Sequence, residues 1–431
     1  MLLTIDKLIY GGDGLARTPP AGDGRSMAVF VPFVLPGERA EVEVVPGKSG
    51  FARGTVTSLV APSPDRIEPS CPHFARCGGC HYQHIPYEKQ IESKAAILRE
   101  TLRRISRIEL REEIIRHPSP AFAYRNRARL RVRTSPEFAL GYFRFASHEF
   151  LPVAECPISS PLINRVMARL LERGGCECPA GVEEIELFAD ADDAQVLAWA
   201  FCERETDAAA LLRWAEAVRA AVPGICGITF FPSRRRAPDD DAPVEARAIA
   251  RSGAEEIPYR VAEQNYRVSA GAFFQVNRHL IEDLVSTVTK EAAGEMALDL
   301  YAGVGLFSLA MARHFHHIFA VEASQTSYED LRHNAPANVR AVQARIEDYQ
   351  PARTRPDLVV VDPPRAGLGK AVIRVLAALR APQIRYVSCD PSTLARDLGP
   401  LLAAGYRIQA AHLFDLFPQT YHIESVTLLA R

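Results

Sequence analysis

The chain has 431 residues, 48% of them hydrophobic, and a formal net charge of −1. This length accommodates about two to four domains with sizeable cores, and near-neutrality excludes a global field that would recruit nucleic acid, so any polyanion site must be a local patch. Nothing resembles a signal peptide and no apolar run reaches the roughly 18 residues of a membrane span, which predicts a soluble cytoplasmic protein with no membrane partner.

In chain order, residues 1–60 alternate short apolar runs with turn signals such as Gly11-Gly12-Asp13-Gly14 and Pro36-Gly37. Strands such as Met27–Val34 and Ala40–Val45 at that spacing predict a small closed β-barrel. The Pro-rich stretch Ala61-Pro62-Ser63-Pro64 links it to a group of cysteines, and Tyr87–Arg104 reads as a helix with Ile91, Ala95, Leu98 and Leu102 on one face. Residues 61–262 form a second, central unit, strand-rich from about 120, with helices predicted at Ile163–Glu172 and Ala208–Ala221 and an exposed loop at Ser233–Arg247. From 263 to 431 the rhythm becomes βαβ, with strands near 296–300, 317–322, 358–362 and 385–389 as in a doubly wound sheet. Tyr406–Phe417 and Ser425–Ala430 read as an antiparallel pair closing that sheet.

Ligands of open α/β sheets bind beyond the carboxyl ends of the strands. Asp299-Leu300-Tyr301-Ala302-Gly303-Val304-Gly305 ends the first of these strands, and its glycines let the backbone approach a ligand closely. A nicotinamide fingerprint wants a third glycine where this chain has Ser308. Glu322, about 20 residues on at the end of the next strand, can accept from both hydroxyls of a ribose; the competing reading is a solvated strand-end acid. A dinucleotide enzyme and a methyltransferase using S-adenosylmethionine both fit, and the closing antiparallel pair favours the second.

Cys389 follows the apolar run Ile384-Arg385-Tyr386-Val387, where a thiol faces the same crevice. Its alternative is a small buried hydrophobe, the usual fate of a free cysteine. Carbon 5 of a pyrimidine is barely nucleophilic. A thiolate adding to carbon 6 makes an enolate whose carbon 5 can attack a methyl donor, after which a base must remove the carbon 5 proton. If the Ser425–Ala430 strand lies antiparallel beside the Cys389 strand, Glu424 meets Cys389 across one pocket. A strand-edge charge is the other reading of Glu424.

Phe273-Phe274-Gln275-Val276-Asn277, Asp299 to Gly305, Asp362-Pro363-Pro364-Arg365-Ala366-Gly367, Ser388-Cys389-Asp390-Pro391 and His422-Ile423-Glu424-Ser425-Val426 resemble, in order, the motifs of the RNA uracil-5-methyltransferases. The resemblance implies an α/β fold with a Rossmann-like class I methyltransferase sheet closed by antiparallel strands, an N-terminal OB-like barrel and a central mixed α/β iron–sulfur domain. It implies Cys389 as nucleophile and Glu424 as proton acceptor, with Gln275, Tyr301, Glu322 and Asp362 contacting S-adenosylmethionine. Leu306 departs from relatives that have asparagine there, so no cofactor contact is carried onto it.

Nine cysteines are present, and Cys71, Cys77 and Cys80 cluster. With Cys156 they provide four thiolates, the number taken by a cubane cluster. Zinc also suits four cysteines, and His73, His81 and His84 lie nearby. The spacing resembles the cluster-bearing branch of the same family, which implies a [4Fe-4S] cluster. Cys176, Cys178, Cys202 and Cys226 show no such pattern.

The N-terminal barrel resembles the TRAM domain, an RNA-binding module, against the alternative of a structural cap. Arg125, Arg127, Arg129, Arg131 and Arg133 fall on one face at strand period, a candidate phosphate comb unless acids on neighbouring strands pair with them. The expected partner is RNA, with ribosomal RNA favoured over transfer RNA by resemblance; no protein partner is implied, and a monomer is expected. Alternatives are methylation of a transfer RNA uridine or an RNA cytosine, a non-catalytic RNA-binding or assembly protein, and an iron–sulfur radical enzyme, which the cysteine spacing disfavours.

Overall fold

The computed structural model describes residues 1–20, 24–47, 50–233, 247–349 and 355–431. Most of the loop expected at Ser233–Arg247 lies outside the described residues. Among those described, no helix is long and apolar enough to cross a membrane.

Strands Leu2–Leu8, Asp13–Arg17, Ala28–Pro32, Phe51–Ala61 and Arg39–Pro46 pair in that order into a closed barrel. Leu3, Ile5, Val29, Val31, Ala40, Val42 and Ala52 point inward and fill it, as strand alternation requires. The barrel is fastened to the segment after its last strand, where Arg66 donates to both oxygens of the buried Glu38, at 2.6 and 2.8 Å.

The central seven-stranded sheet runs Ala250–Gly253, Ile225–Pro232, Val196–Cys202, Val182–Ala189, Arg127–Arg133, Ala139–Phe143, Phe150–Pro152. Helices Pro161–Arg173 and Ala208–Ala221 pack on one face through Ile163, Val166, Leu211 and Trp214, against Leu130, Ile185 and Ala198. The helix Tyr87–Ser106 and strand Ile114–His117 also belong to the 61–262 stretch. They associate with the carboxyl-terminal sheet, where the strand pairs in parallel with Arg407–Phe414.

That sheet has eight strands in the order Val339–Gln343, Phe315–Glu322, Gly294–Leu300, Leu358–Val361, Gln383–Ser388, Glu424–Ala430, Arg407–Phe414, Ile114–His117. The first five are mutually parallel, and Gly294–Leu300, Leu358–Val361 and Gln383–Ser388 are mostly buried, as the unbroken apolar run Leu358-Val359-Val360-Val361 requires. Glu424–Ala430 then runs antiparallel to Gln383–Ser388. The chain leaves Gly294–Leu300 in one direction and returns to its other side with Leu358–Val361. The crevice of a doubly wound sheet therefore opens above Leu300 and Val361.

Candidate active site and cysteine cluster

Tyr301 and Asp362 are the residues directly after those two strands, at the switch in strand order. Tyr301 adopts the left-handed region at φ +67°, an unfavourable conformation for a bulky side chain and a feature that clusters at functional sites. At Gly305, φ +96°, an added Cβ would come 2.8 Å from Leu331 and 2.9 Å from Leu309, so only glycine lets the turn pack there. Glu322 accepts from Gly303 N at 2.8 Å and from Ser324 N at 2.7 Å, which places its carboxylate against the glycine turn. Ser308, where a nicotinamide fold would have glycine, donates its hydroxyl to Asp299.

Burial pushes the fully enclosed Asp299 up to about 7, even with the Ser308 hydroxyl bond acting against it. Its Oδ1 has no protein partner, a buried acceptor left over beside the crevice. Gln275 Nε2 donates to Asp362 Oδ2 at 3.5 Å, and Asn126 holds the Gln275 carbonyl at 3.1 Å. Burial, reinforced by Asp299, raises Asp362 as well. Gln275 and Asp362 are thus in contact, while Tyr301 and Glu322 flank the same turn. The orphaned Asp299 oxygen, the glycine turn and the row of acids fit a cationic nucleoside ligand such as S-adenosylmethionine.

Ser388 is registered opposite Ser425, whose hydroxyl donates to the Ser388 carbonyl at 3.3 Å. Cys389 and Glu424 therefore leave adjacent strands at the same level. Burial pushes the Cys389 thiol up, the Glu424 and Asp362 charges push it further, and Arg365 opposes them. Glu424, 4% exposed, is raised well above the carboxylate range by burial and then by Asp362, again against Arg365. Arg365 Nη2 lies 3.5 Å from His422 Nδ1, and burial together with Arg365 keeps that imidazole neutral. A thiol, a carboxyl and a guanidinium converge.

Several supporting residues lie outside the site set that the sequence points to, although one of them, Asn277, ends the Phe273–Asn277 motif. Lys94, fully buried, donates to Asp415 Oδ1 at 2.6 Å and to the Phe417 carbonyl at 2.9 Å, anchoring the loop that leads to His422 and Glu424. One signal does mark it: Lys94 sits between Ile91 and Leu98 on the helix's apolar stripe. Asp397 Oδ2 accepts from Leu368 N at 2.7 Å and Tyr386 Oη at 2.8 Å, clasping the loop after Asp362. Asn277 bridges Ser119 to the carbonyls of Asp415 and Leu416. No periodicity marks the last two.

Cys71, Cys77, Cys80 and Cys156 line one cavity of about 780 Å³. Burial raises the Cys71, Cys77 and Cys80 thiols, and the charge of Cys156 raises each of them further. Among the described residues, no three His, Cys, Asp or Glu side chains converge on a point suited to a single ion. Four thiols on one cavity are the donor set a cubane takes, and that shared lining is as far as the structure carries the expected cluster.

The arginine row requires a correction. Arg125 precedes the strand, which begins at Arg127. Arg127 is buried and pairs with Glu186, while Arg129 and Arg131 both pair with Glu184. The cause is register: Glu184 lies opposite Arg131 and Glu186 opposite Arg129. Acids on the neighbouring strand consume much of the charge that a phosphate comb would present.

Residues 253–350 and 329–431 match the family model described as tRNA (Uracil-5-)-methyltransferase, and residues 1–57 match the TRAM domain. Along 100% of its length the chain is 34% identical to the 23S rRNA (uracil(1939)-C(5))-methyltransferase RlmD of Chromohalobacter salexigens, covering 89% of that protein. It is 33% identical over 99% of its length to an uncharacterized RNA methyltransferase of Aquifex aeolicus, 97% of which is covered. The crystal structure of Pyrococcus abyssi tRNA (uracil-54, C5)-methyltransferase in complex with S-adenosyl-L-homocysteine aligns over 100% of both chains with a TM-score of 0.75 at 26% identity. A doubly wound sheet closed by an antiparallel pair, with a thiol and a carboxyl facing its crevice, defines a class I methyltransferase. The chain belongs to the RNA uracil-5-methyltransferase family.

Proposed function

We propose that this protein methylates carbon 5 of a specific uridine, in ribosomal RNA by preference, through a covalent adduct with Cys389. The observation that carries the reading is the placement of Cys389 and Glu424 at one level of adjacent strands, next to Asp362 and Gln275. Ribosomal RNA is favoured by full-length similarity to proteins named for 23S rRNA. The TRAM match supports RNA as the partner.

S-adenosylmethionine, held by Gln275, Tyr301, Glu322 and Asp362, supplies the methyl group from its sulfonium. The Cys389 thiol gives its proton to water, and the resulting thiolate bonds carbon 6 of the extruded uracil, which makes carbon 5 nucleophilic. Arg365 is the cation that favours the thiolate against burial and the neighbouring acids. After methyl transfer Glu424 takes the carbon 5 proton, and the carbon 6–sulfur bond breaks to return the thiolate. Burial raises the proton affinity of the Glu424 carboxylate, which makes its ionised form the stronger acceptor for that proton.

Cys71, Cys77, Cys80 and Cys156 would hold a [4Fe-4S] cluster that fastens the segment around residues 71–80 to the loop at 156, a structural staple. The protein acts as a cytoplasmic monomer in this reading. The test is to sequence modified nucleotides in RNA from a strain lacking the protein. One 5-methyluridine should disappear, and the purified protein with S-adenosylmethionine should restore it. Loss of a 5-methylcytosine instead would redirect the assignment.

A further inference from the structure

The N-terminal barrel reaches the active site through one turn. Residues 9–12 join the strands Leu2–Leu8 and Asp13–Arg17, with Ile9 N donating to the Asp13 carbonyl at 2.9 Å and Gly12 N to the Ile9 carbonyl at 3.3 Å. Gly12, at φ +93°, lies so close to His81 that an added Cβ would come 3.1 Å from its ring. Glycine therefore lets the turn press onto the segment after the barrel. Phe33 packs edge-on to Phe74 at 5.3 Å and to Phe145 at 4.7 Å. Together with the Glu38–Arg66 pair, these contacts fix the barrel to the rest of the chain.

Tyr10 is the side chain that this turn delivers. Its ring packs edge-to-face with Tyr421, centroids 5.7 Å apart, and Tyr421 lies against His422 at 4.3 Å. The Tyr10 hydroxyl lies 3.5 Å from the Cys389 carbonyl and within hydrogen-bonding reach of the Asp390 carboxylate. Burial, then the Asp390 charge, keeps the proton on the phenol, so the group acts as a donor. The neighbours of Cys389 are braced locally. Ser388 Oγ accepts from Asp390 N at 3.3 Å, and Asp390 Oδ1 caps the next helix by accepting from Ser392 N at 2.8 Å and Thr393 N at 2.9 Å. Cys389 sits between these anchors, and the barrel ties its own peptide from 379 residues away.

We propose that Tyr10 is a positioning residue for the Cys389 nucleophile: its hydroxyl fixes the 388–390 turn from outside and so sets where the thiolate meets carbon 6. The proposal rests on the reading of Cys389 as the nucleophile. Attack needs the sulfur about 3–3.5 Å from carbon 6 and correctly aimed, and small misplacements slow it steeply. The barrel then completes the catalytic scaffold, beyond any contact it makes with RNA.

Tyr10→Phe removes the hydroxyl and keeps the ring against Tyr421. The probe is RNA carrying 5-fluorouridine, mixed with S-adenosylmethionine and the full chain. The amplitude of covalent capture counts competent molecules, while its rate constant reads how well the thiolate is placed. The variant should capture to full amplitude but about tenfold more slowly. The single-turnover rate on uridine RNA should fall with it at saturating RNA. The half-saturating RNA concentration and S-adenosylmethionine affinity should stay as in the wild type. Tyr10→Leu, which lacks ring and hydroxyl alike, should be at least as slow. A loss confined to Tyr10→Leu would make the ring mere packing and overturn the proposal. So would a higher half-saturating RNA concentration at an unchanged saturated rate, the mark of an RNA contact. Reduced amplitude with an unchanged rate constant would indicate a folding role and likewise overturn it. A wild type that captures no RNA sinks the Cys389 reading itself, whereas equally fast capture by wild type and Tyr10→Phe sinks only the positioning role.

Discussion

Ser388 and Ser425 face each other across the antiparallel pair that closes the sheet, so the residue after one, Cys389, lies beside the residue before the other, Glu424. Two segments far apart in the chain thereby share one pocket, and the roles proposed for them differ in timing.

Cys389→Ala should abolish turnover and abolish covalent capture of RNA containing 5-fluorouridine, while S-adenosylmethionine still binds. Fluorine cannot leave as a proton, so the wild-type adduct persists on denaturing gels. An alanine variant methylating at near the wild-type rate would remove Cys389 from the mechanism.

Glu424→Gln should slow turnover by about 10²- to 10⁴-fold and accumulate a methylated RNA–protein adduct, because proton removal follows methyl transfer. Mass spectrometry of the trapped species checks this. Inactivity with no adduct would assign Glu424 an earlier role.

Anaerobically purified protein should carry about four irons per chain, the content of a single cubane. Serine at Cys71, Cys77, Cys80 or Cys156 should lower it. Stoichiometric zinc without charge-transfer absorption would overturn the cluster.

S-adenosylmethionine should bind more tightly as pH rises through about 7, because Asp299 and Asp362 are held up by burial and a sulfonium favours their ionised forms. S-adenosylhomocysteine, which lacks that charge, should show a weaker dependence. The unliganded protein carries the opposite sign. An acid raised in the folded state stabilises it below the unfolded pKa, and that contribution is lost as pH rises through about 7. Parallel calorimetric titrations of the two ligands test the sign, and identical slopes would place the sulfonium away from these acids.

Lys94→Met should destabilise the fold by about 3–5 kcal/mol, since it leaves the buried Asp415 carboxylate without its cation. Adding Asp415→Asn to that variant should restore much of the loss. Chemical denaturation of the single and double variants measures the recovery, and purely additive losses would argue against the pairing.

The local chemistry is legible in the sequence because it is carried by short contiguous strings. Turn residues spaced for a small barrel, the glycine turn after Asp299 and the Cys389 and Glu424 segments each announce themselves within a few residues. The helix Ala208–Ala221 has the bounds its sequence predicts because Asp207 caps it, accepting from Ala209 N and Ala210 N. The arginine row is equally visible, but its meaning is not. Period two says which side chains share a face. It does not say that Glu184 and Glu186 stand on the next strand in a register that pairs them with Arg127, Arg129 and Arg131. The strand Ile114–His117 likewise carries no mark of joining a sheet formed almost two hundred residues later. Nor does Lys94 reveal that its partner is Asp415. Composition, periodicity and motif determined which groups this protein carries and in which local geometry. Long-range strand pairing and burial decided which of them meet and which charges cancel, because those depend on packing between segments that no local pattern encodes.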